Sequence, residues 1–280
     1  MIQIIVNGLI EGLAIGILAL SFGLVYNTLR VFHFAFGALY AIAAYAYIFG
    51  LGWFGILVSI LLAVVVEALV YYPLFQRRAS LAVSFISSLG VYIILVNLIA
   101  LFFGNDTKML SPEVRATINI GPVILTDIQL WLLLFSLVVC VLFVLLLHKT
   151  RLGNSLLAVG ENLLLLRALG GNVRMLRTIA MVIASALAGV IAILKGLDAG
   201  IDPYIGMGAM FTAAAAFIIS GGRNYTAIIL AGLVLGLLRN LTVWFLSAQW
   251  MDAATFLLLV LMLMFRQRGF VSNNIRLEEQ

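Results

Sequence analysis

"IQLWLLLFSLVVCVLFVLLL", residues 128–147, is twenty residues without a charge. As a helix rising about 1.5 Å per residue it would be about 30 Å long, the thickness of the hydrocarbon layer of a bilayer. Such a segment reads as a membrane-spanning helix, and the runs around it are of the same kind. Working outward gives nine apolar blocks, at roughly 3–26, 31–50, 52–72, 81–103, 128–147, 178–197, 206–222, 225–248 and 251–265. Several are short or rich in glycine. The block "GMGAMFTAAAAFIISGG" reads as either a full crossing or a broken, re-entrant segment, which a membrane tolerates where the backbone is packed in protein.

Composition supports the same medium. Of 280 residues, 65% are hydrophobic and 10% charged, with mean hydropathy +1.22, whereas soluble domains carry about 25% charged residues. Long apolar blocks exclude a porin-type barrel, whose strands alternate over short stretches. The expectation is an all-α polytopic integral membrane bundle of about 8–9 segments, forming one domain over residues 1–280. The net charge of +5 is better explained by basic loops on one side of the membrane than by nucleic acid. Cys140, the only cysteine, reads as a small buried hydrophobe, with no disulfide or metal chemistry implied. The opening "MIQIIVNGLIEG" has no basic lead and no small-residue cleavage site, so no removable signal peptide is expected.

Charge placement orders the blocks. If all nine cross, Arg30, Arg77, Arg78, Arg223, the 149–177 loop and the tail with Arg266, Arg268 and Arg276 share one side, which collects 12 of the 16 basic residues. The opposite side holds Asp106, Glu113, Asp127, Asp198, Asp202 and Asp252 against Lys108, Arg115 and Lys195. The positive-inside rule then predicts an external N-terminus, an external loop over about 104–127, and a cytoplasmic C-terminus and 149–177 loop.

That cytoplasmic loop is unlike its surroundings. In "RLGNSLLAVGENLLLLRALGGNVRMLR" (151–177), four arginines gather around a single acid, Glu161. Residues 155–169 predict a helix of about four turns, capped at Asn154 or Ser155 and ended by Gly170–Gly171. Two readings stand: a helix lying in the headgroup layer with its arginines near anionic lipid, or a knob inserted into a partner protein.

The segment resembles the cytoplasmic coupling loop of permease subunits from ABC importers of the branched-chain amino acid type, through "TRLG" (150–153), Glu161 and "ALGG" (168–171). Other stretches carry the same resemblance in order: "VNGLIEGLAIGILALSFGLVY" (6–26); Glu67, Tyr71 and Pro73 in "EALVYYPLF"; Gly90 and Asn97; "FGND" (103–106); and "IDPYIG" (201–206) with "FTAAAAFIISGG". It covers residues 6–270, and the short chain is more similar to the H-type permease than to its longer M-type partner. The resemblance implies a second permease subunit, giving a heterodimer, two ATP-binding subunits that hold ATP and Mg, and an extracytoplasmic solute-binding protein. It implies a bacterial or archaeal plasma membrane. The solute would be a branched-chain amino acid or a related small amide, urea or carboxylate. Leu156, Leu157, Leu163, Leu164 and Leu166 would be the knobs seated in the ATPase, with Glu161, Arg167 and Gly170 beside them. Two positions depart from the family's habit: "HFAFGA" (33–38) has Ala38 where an acid is common, and Arg239 stands where Glu is frequent. Those departures make an anionic or less polar solute plausible.

Polar groups inside spans are costly, so each is a functional candidate with a structural rival. His33, Phe36, Glu67, Asn97 and Arg239 are the candidates for the translocation pathway. The rivals are a backbone hydrogen bond for His33, pairing with Arg77–Arg78 for Glu67, and interhelix hydrogen bonding for Asn97. Arg239 must meet water, an acid or an anionic solute. Glu11, near a span end, reads as snorkelling or as an interhelix hydrogen bond. Asp198, Asp202 and Tyr204 form an external loop for receiving the binding protein, or an ordinary solvated loop. Gly232 and Gly236 provide a small-residue face, for packing within the subunit or between subunits. The sequence holds no G-x-x-x-x-G-K-[ST] loop, so ATP hydrolysis is expected in separate subunits and no cofactor or metal in this chain. No enzyme is indicated. The rival reading, an ion-coupled secondary transporter or channel, needs ionisable relays near the midplane, for which Glu67 and Asn97 are thin material.

Overall fold

The structure, a computed structural model, describes residues 1–109, 117–161, 163–222 and 224–265; within these, the side chains of Ile120, Leu164, Leu165, Leu263 and Phe265 are not described. Glu113, Arg115, Arg223 and the tail arginines therefore lie outside the described residues. The helices are α1 (Ile2–Leu29), α2 (Ala35–Ala46), α3 (Gly55–Val66), α4 (Tyr72–Gln76), α5 (Leu81–Phe103), α6 (Asp127–Lys149), α7 (Arg151–Glu161), α8 (Leu163–Ala168), α9 (Val173–Ala199), α10 (Ile205–Ser220), α11 (Tyr225–Phe245) and α12 (Met251–Phe265). Among the described residues, six helical stretches are long and apolar enough to cross a membrane, with α10 and α12 shorter. The fold is an all-α polytopic bundle with one addition that the sequence reading lacked. Within the 104–127 loop, Thr117–Ile120 (β1) pairs antiparallel with Val123–Thr126 (β2).

The stretch 35–76 is continuous by hydropathy but not straight. A π turn over Tyr47–Leu51 leads into Gly50 (φ +86°) and Gly52 (φ +52°), left-handed values that cost a glycine no Cβ clash. The chain reverses there, and α3 returns along α2, with the Ser59 hydroxyl donating to the Leu39 carbonyl at 2.9 Å. Two blocks were expected at 31–50 and 52–72; the helices run later, starting at Ala35 and Gly55.

Local polar residues set the other helix starts. Ser80 caps α5, Thr126 and Gln129 form a reciprocal capping box on α6, and Asn172 and Asn224 cap α9 and α11. The loop helix starts four residues before the expected Ser155. Thr150 rather than Asn154 or Ser155 caps it, accepting from the Gly153 N–H at 3.0 Å. Its predicted end holds: the Gly170 and Gly171 amides donate to Arg167 and Leu166, and Gly170 has φ +80°.

The two ends of the bundle carry different loops. At one, Gln3 pairs with the Ile124 backbone of the hairpin, Thr126 hydrogen-bonds Asp198, and Lys108 bridges Ile201. At the other, Asn27 donates to Gly222, Arg30 donates to the Gly160 carbonyl, and Arg177 reaches Leu29. The acidic loops and the basic loops are thus at opposite ends. We call them outer and inner.

α1 is the hub, enclosed by α6, α7, α9, α10 and α11. Its closest neighbour is α11, and the approach is backbone on backbone. A Cβ added to Gly12 would sit 2.7 Å from the Leu233 Cα, and one on Gly232 would sit 2.5 Å from the Gly16 Cα. The Gly232–Gly236 face therefore packs within the subunit. Lipid tails offer no hydrophobic drive for helix association, so such close van der Waals contact must supply it. Gly90 of α5 is the opposite case, with nothing within 4 Å of an added Cβ. Gly90→Ala is expected to be neutral or to stabilise by up to about 1 kcal/mol; a loss of thermal stability in detergent would show that Gly90 has a neighbour outside this chain.

Candidate functional site

The inner end holds a polar network buried out of reach of solvent. Glu67 lies at the start of a second π turn, Glu67–Tyr71, which joins α3 to α4; π turns often accompany functional positions. Its carboxylate accepts from Arg177 of α9, Nε to Oε1 at 2.7 Å and Nη2 to Oε2 at 3.4 Å. Arg177 and Glu67 are 1% and 2% exposed. The same guanidinium donates to the carbonyls of Leu29 and Tyr71, both at 3.4 Å, and lies over the Phe75 ring at 4.5 Å. One side chain therefore ties the end of α1 and the turn between α3 and α4 to the start of α9. The expected pairing of Glu67 with Arg77–Arg78 is replaced by this one. Both arginines follow α4, beyond the turn in which Glu67 is buried.

A neutral chain adjoins the pair. The Tyr71 hydroxyl lies 2.8 Å from His33 Nδ1 and donates to Ser88 Oγ at 2.9 Å, and Ser88 Oγ accepts from the Ala35 N–H at 3.3 Å. His33 thus bonds a phenol, not the backbone carbonyl expected of it. Phe36 is buried edge-on to His33 and Phe22. The candidates His33, Phe36 and Glu67 do come together, but as a sealed core that presents no open wall.

The remaining two pathway candidates are elsewhere. Arg239 of α11 donates to Glu11 (Nε–Oε1, 3.0 Å), Asp252 (Nη1–Oδ1, 2.8 Å) and Thr255, while Asn240 donates to the other oxygen of Glu11 at 2.6 Å. Two carboxylates answer its charge, so Arg239 is not a free anion site and gives no support to an anionic solute. Asn97 is exposed on the face of α5 turned from α2, and its amide donates to the Ile93 carbonyl at 2.7 Å.

The loop helices seat themselves on the bundle. Leu156 is 2% exposed, Val159 6% and Leu166 9%, with Leu157 and Leu163 partly buried against the core. This corrects the expectation for Leu156 and Leu166, which are not knobs free to enter a partner: they anchor α7 and α8 to their own chain. The side chain of Leu164 is outside the described residues. The outward surface is instead Glu161, Arg167, Leu169 (77% exposed) and Gly170. Arg167 also lies over Phe75 at 5.5 Å, on the ring that Arg177 stacks against. Arg174 covers Tyr72 at 4.7 Å. The missed residue is Arg177. A cation at the start of a span is its signal, but it lies 110 residues from Glu67, whereas Arg77 and Arg78 are near in sequence.

At the outer end, Asp198 stays with the hairpin, its carboxylate accepting from Thr126 at 3.4 Å. Asp202 and Tyr204 lie on the stretch that leads into α10. Ile201 still pairs with Lys108 (2.7 and 2.8 Å), yet five residues on, Gly206 packs against Gly37 in the first turn of α2. α10 is therefore a half-length helix of about 24 Å, starting inside the bundle after a non-helical descent and ending at the inner loops.

A bundle of membrane-length apolar helices with a half-length helix inside it and basic loop helices seated at one end suits a membrane transport subunit. Residues 4–265 match the family described as branched-chain amino acid transport system / permease component, and the chain belongs to that family: it is a membrane permease subunit of an ABC importer. It is similar to the high-affinity branched-chain amino acid transport system permease protein BraD of Pseudomonas aeruginosa, 27% identical over 96% of this chain and 95% of that protein. LivH of Escherichia coli K12, of the same description, is 26% identical over the same shares. A probable branched-chain amino acid transport permease LivH of Methanocaldococcus jannaschii is 29% identical over 83% of this chain and 78% of its own length.

Proposed function

We propose that this subunit moves a branched-chain amino acid inward, driven by ATP-binding subunits that grip the outward surface of α7 and α8 from the cytoplasm. A second, different permease chain completes the path. A binding protein delivers the solute at the outer end, where Asp198 and the β1–β2 hairpin form the receiving surface. The inner end is cytoplasmic, in keeping with its arginines, and the plasma membrane of a bacterium or archaeon is the setting.

One observation carries this reading: the loop helices are joined to the spans by a continuous set of contacts. Arg167 on α8 and Arg177 on α9 both lie over Phe75, and Arg177 grips Glu67 and the end of α1. ATP-driven closure of the ATPases would push α8, and the push would reach α1, α4 and α9 together. Packed elements of this kind shift between discrete arrangements, which suits alternating inward- and outward-open states.

The test is co-purification. Glu161→Lys with Leu169→Asp alters only exposed positions, so the permease should fold and yet lose its ATPase subunits on gel filtration. ATP-driven leucine uptake in proteoliposomes should vanish with them. Undiminished association would remove α7–α8 as the grip. Uptake that persists without ATP and collapses with an ionophore would favour an ion-coupled carrier.

A further inference from the structure

We infer that the inner end of α9 holds one anionic phospholipid of the cytoplasmic leaflet, its phosphate on Arg174 and an acyl chain in the groove alongside. The inference stands whichever solute the subunit carries.

The groove has a volume of about 360 Å³ and is lined by Asn172, Arg174, Met175, Thr178, Ile179 and Val182 of α9 and its cap. That is the size of a small-molecule site. Its lining changes character along the helix. Asn172, Arg174 and Thr178 make the inner end polar. Ile179 and Val182 lie about 8 and 12 Å further along than Arg174, within the apolar block that begins near residue 178. A polar rim leading into an apolar trough at the membrane boundary has the order of a phospholipid, headgroup first and chain after.

The rim suits an anion. The Arg174 guanidinium is held over the Tyr72 ring at 4.7 Å, a contact that fixes its position. Among the described residues no carboxylate forms an ion pair with it. Asn172 Oδ1 accepts from the Met175 N–H at 3.1 Å, which leaves the amide N–H groups of Asn172 as further donors. The Thr178 hydroxyl donates to the Arg174 carbonyl at 3.1 Å, and its oxygen can still accept from a headgroup hydroxyl. Tyr72 begins α4, and the exposed Arg77 and Arg78 that follow α4 also have no acid partner among the described residues. A phosphate, which an arginine binds through two parallel N–H donors, supplies the missing negative charge.

Charge and depth argue against a protein in this place. An ATPase subunit working from the cytoplasm meets the rim but does not reach Ile179 and Val182. A second permease would bring a basic inner end of its own, and its cations would face Arg174. A lipid satisfies both ends of the groove.

The test is native mass spectrometry of the transporter complex, released from nanodiscs that contain phosphatidylglycerol and phosphatidylcholine in equal amounts and with the same acyl chains. The parent should retain one phosphatidylglycerol per copy of this chain. Diffuse attraction of a basic surface to anionic lipid is worth about fivefold in affinity per cation, and any inner-end cation provides it. Arg174→Gln should exceed this, at about tenfold or more, whereas Lys149→Gln, at an exposed cation outside the groove, should not. Ile179→Trp fills the trough, leaves every charge in place and should also release the lipid. Arg174 is exposed and Ile179 half-buried, so both complexes should still elute intact. Equal retention of the two lipids overturns the site, as do equal losses for Arg174→Gln and Lys149→Gln. Displacement of the lipid by millimolar inorganic phosphate would make this a free-anion site and overturns it too. So does a parent that holds no phosphatidylglycerol; if its subunits also separate when Arg174 is replaced, a protein covers the groove instead.

Discussion

Arg177→Ala is expected to destabilise the subunit by about 3–5 kcal/mol, because it leaves the Glu67 carboxylate buried with no counter-charge. Each alternative for Glu67 is poor. Water does not reach it, Arg77 and Arg78 lie beyond the turn, and the neighbouring Tyr71 hydroxyl already serves Ser88. Arg177→Lys should restore only part of the loss, since an ammonium cannot span both carboxylate oxygens and two carbonyls as the guanidinium does. The informative variant is the double replacement of Arg177 and Glu67 by methionine. Apolar substitution of a whole buried pair is often neutral or stabilising, so this protein should melt near the parent temperature. Its transport should nonetheless be impaired, because the tie between α9, α1 and the α3–α4 turn is gone. Thermal unfolding in detergent and ATP-driven uptake, measured on the same preparations, separate the two effects. An Arg177→Ala protein as stable as the parent would show that the pair does not hold the fold.

The second large effect is expected at Gly236. Its added Cβ would fall on the Gly12 amide and Cα and within 2.5 Å of the Gly8 carbonyl. All are main-chain atoms, with no flexible side-chain end to move aside. Even alanine must push α1 and α11 apart, and leucine more so. Overpacking usually costs about 1–3 kcal/mol; here the separation also loosens the contacts at Gly12 and Gly232, so Gly236→Leu should exceed that range and leave little folded protein. Size-exclusion chromatography after detergent extraction reads this directly. A monodisperse Gly236→Leu protein with the parent's melting temperature would mean that the two helices are not in contact.

How far the sequence could be read depended on whether a feature is local. Apolar run length is local, and it placed α5 and α6 to within a few residues. The Gly170–Gly171 stop is local too. The reversal at Gly50–Gly52 was read correctly as a break, though the helices flanking it run later than hydropathy suggested. Partners in space are not local. Glu67 was matched to the nearest arginines, while its real partner lies 110 residues away. For Arg239 the sequence leaves water, an acid and an anionic solute open, and it does not tell that Glu11 and Asp252 converge on it. The leucines of 156–166 showed that the loop helix docks on something, but periodicity alone does not say whether that surface is a partner or the helix's own bundle. Hydropathy also says nothing about how the chain runs between helices: from the outer bridge at Ile201 it reaches Gly37 of α2 within five residues.

The central position of α1 bears on how the chain is made. It is synthesised well before α11, the helix that fills its glycine face, which follows some two hundred residues later. Until then Gly8, Gly12 and Gly16 form an unfilled groove within the bilayer, available to any small-faced helix nearby. Biogenesis must therefore keep α1 from settling with the wrong neighbour, and overproduction without the insertion machinery should yield mispaired, aggregation-prone chains before any loss of the finished subunit's activity is seen.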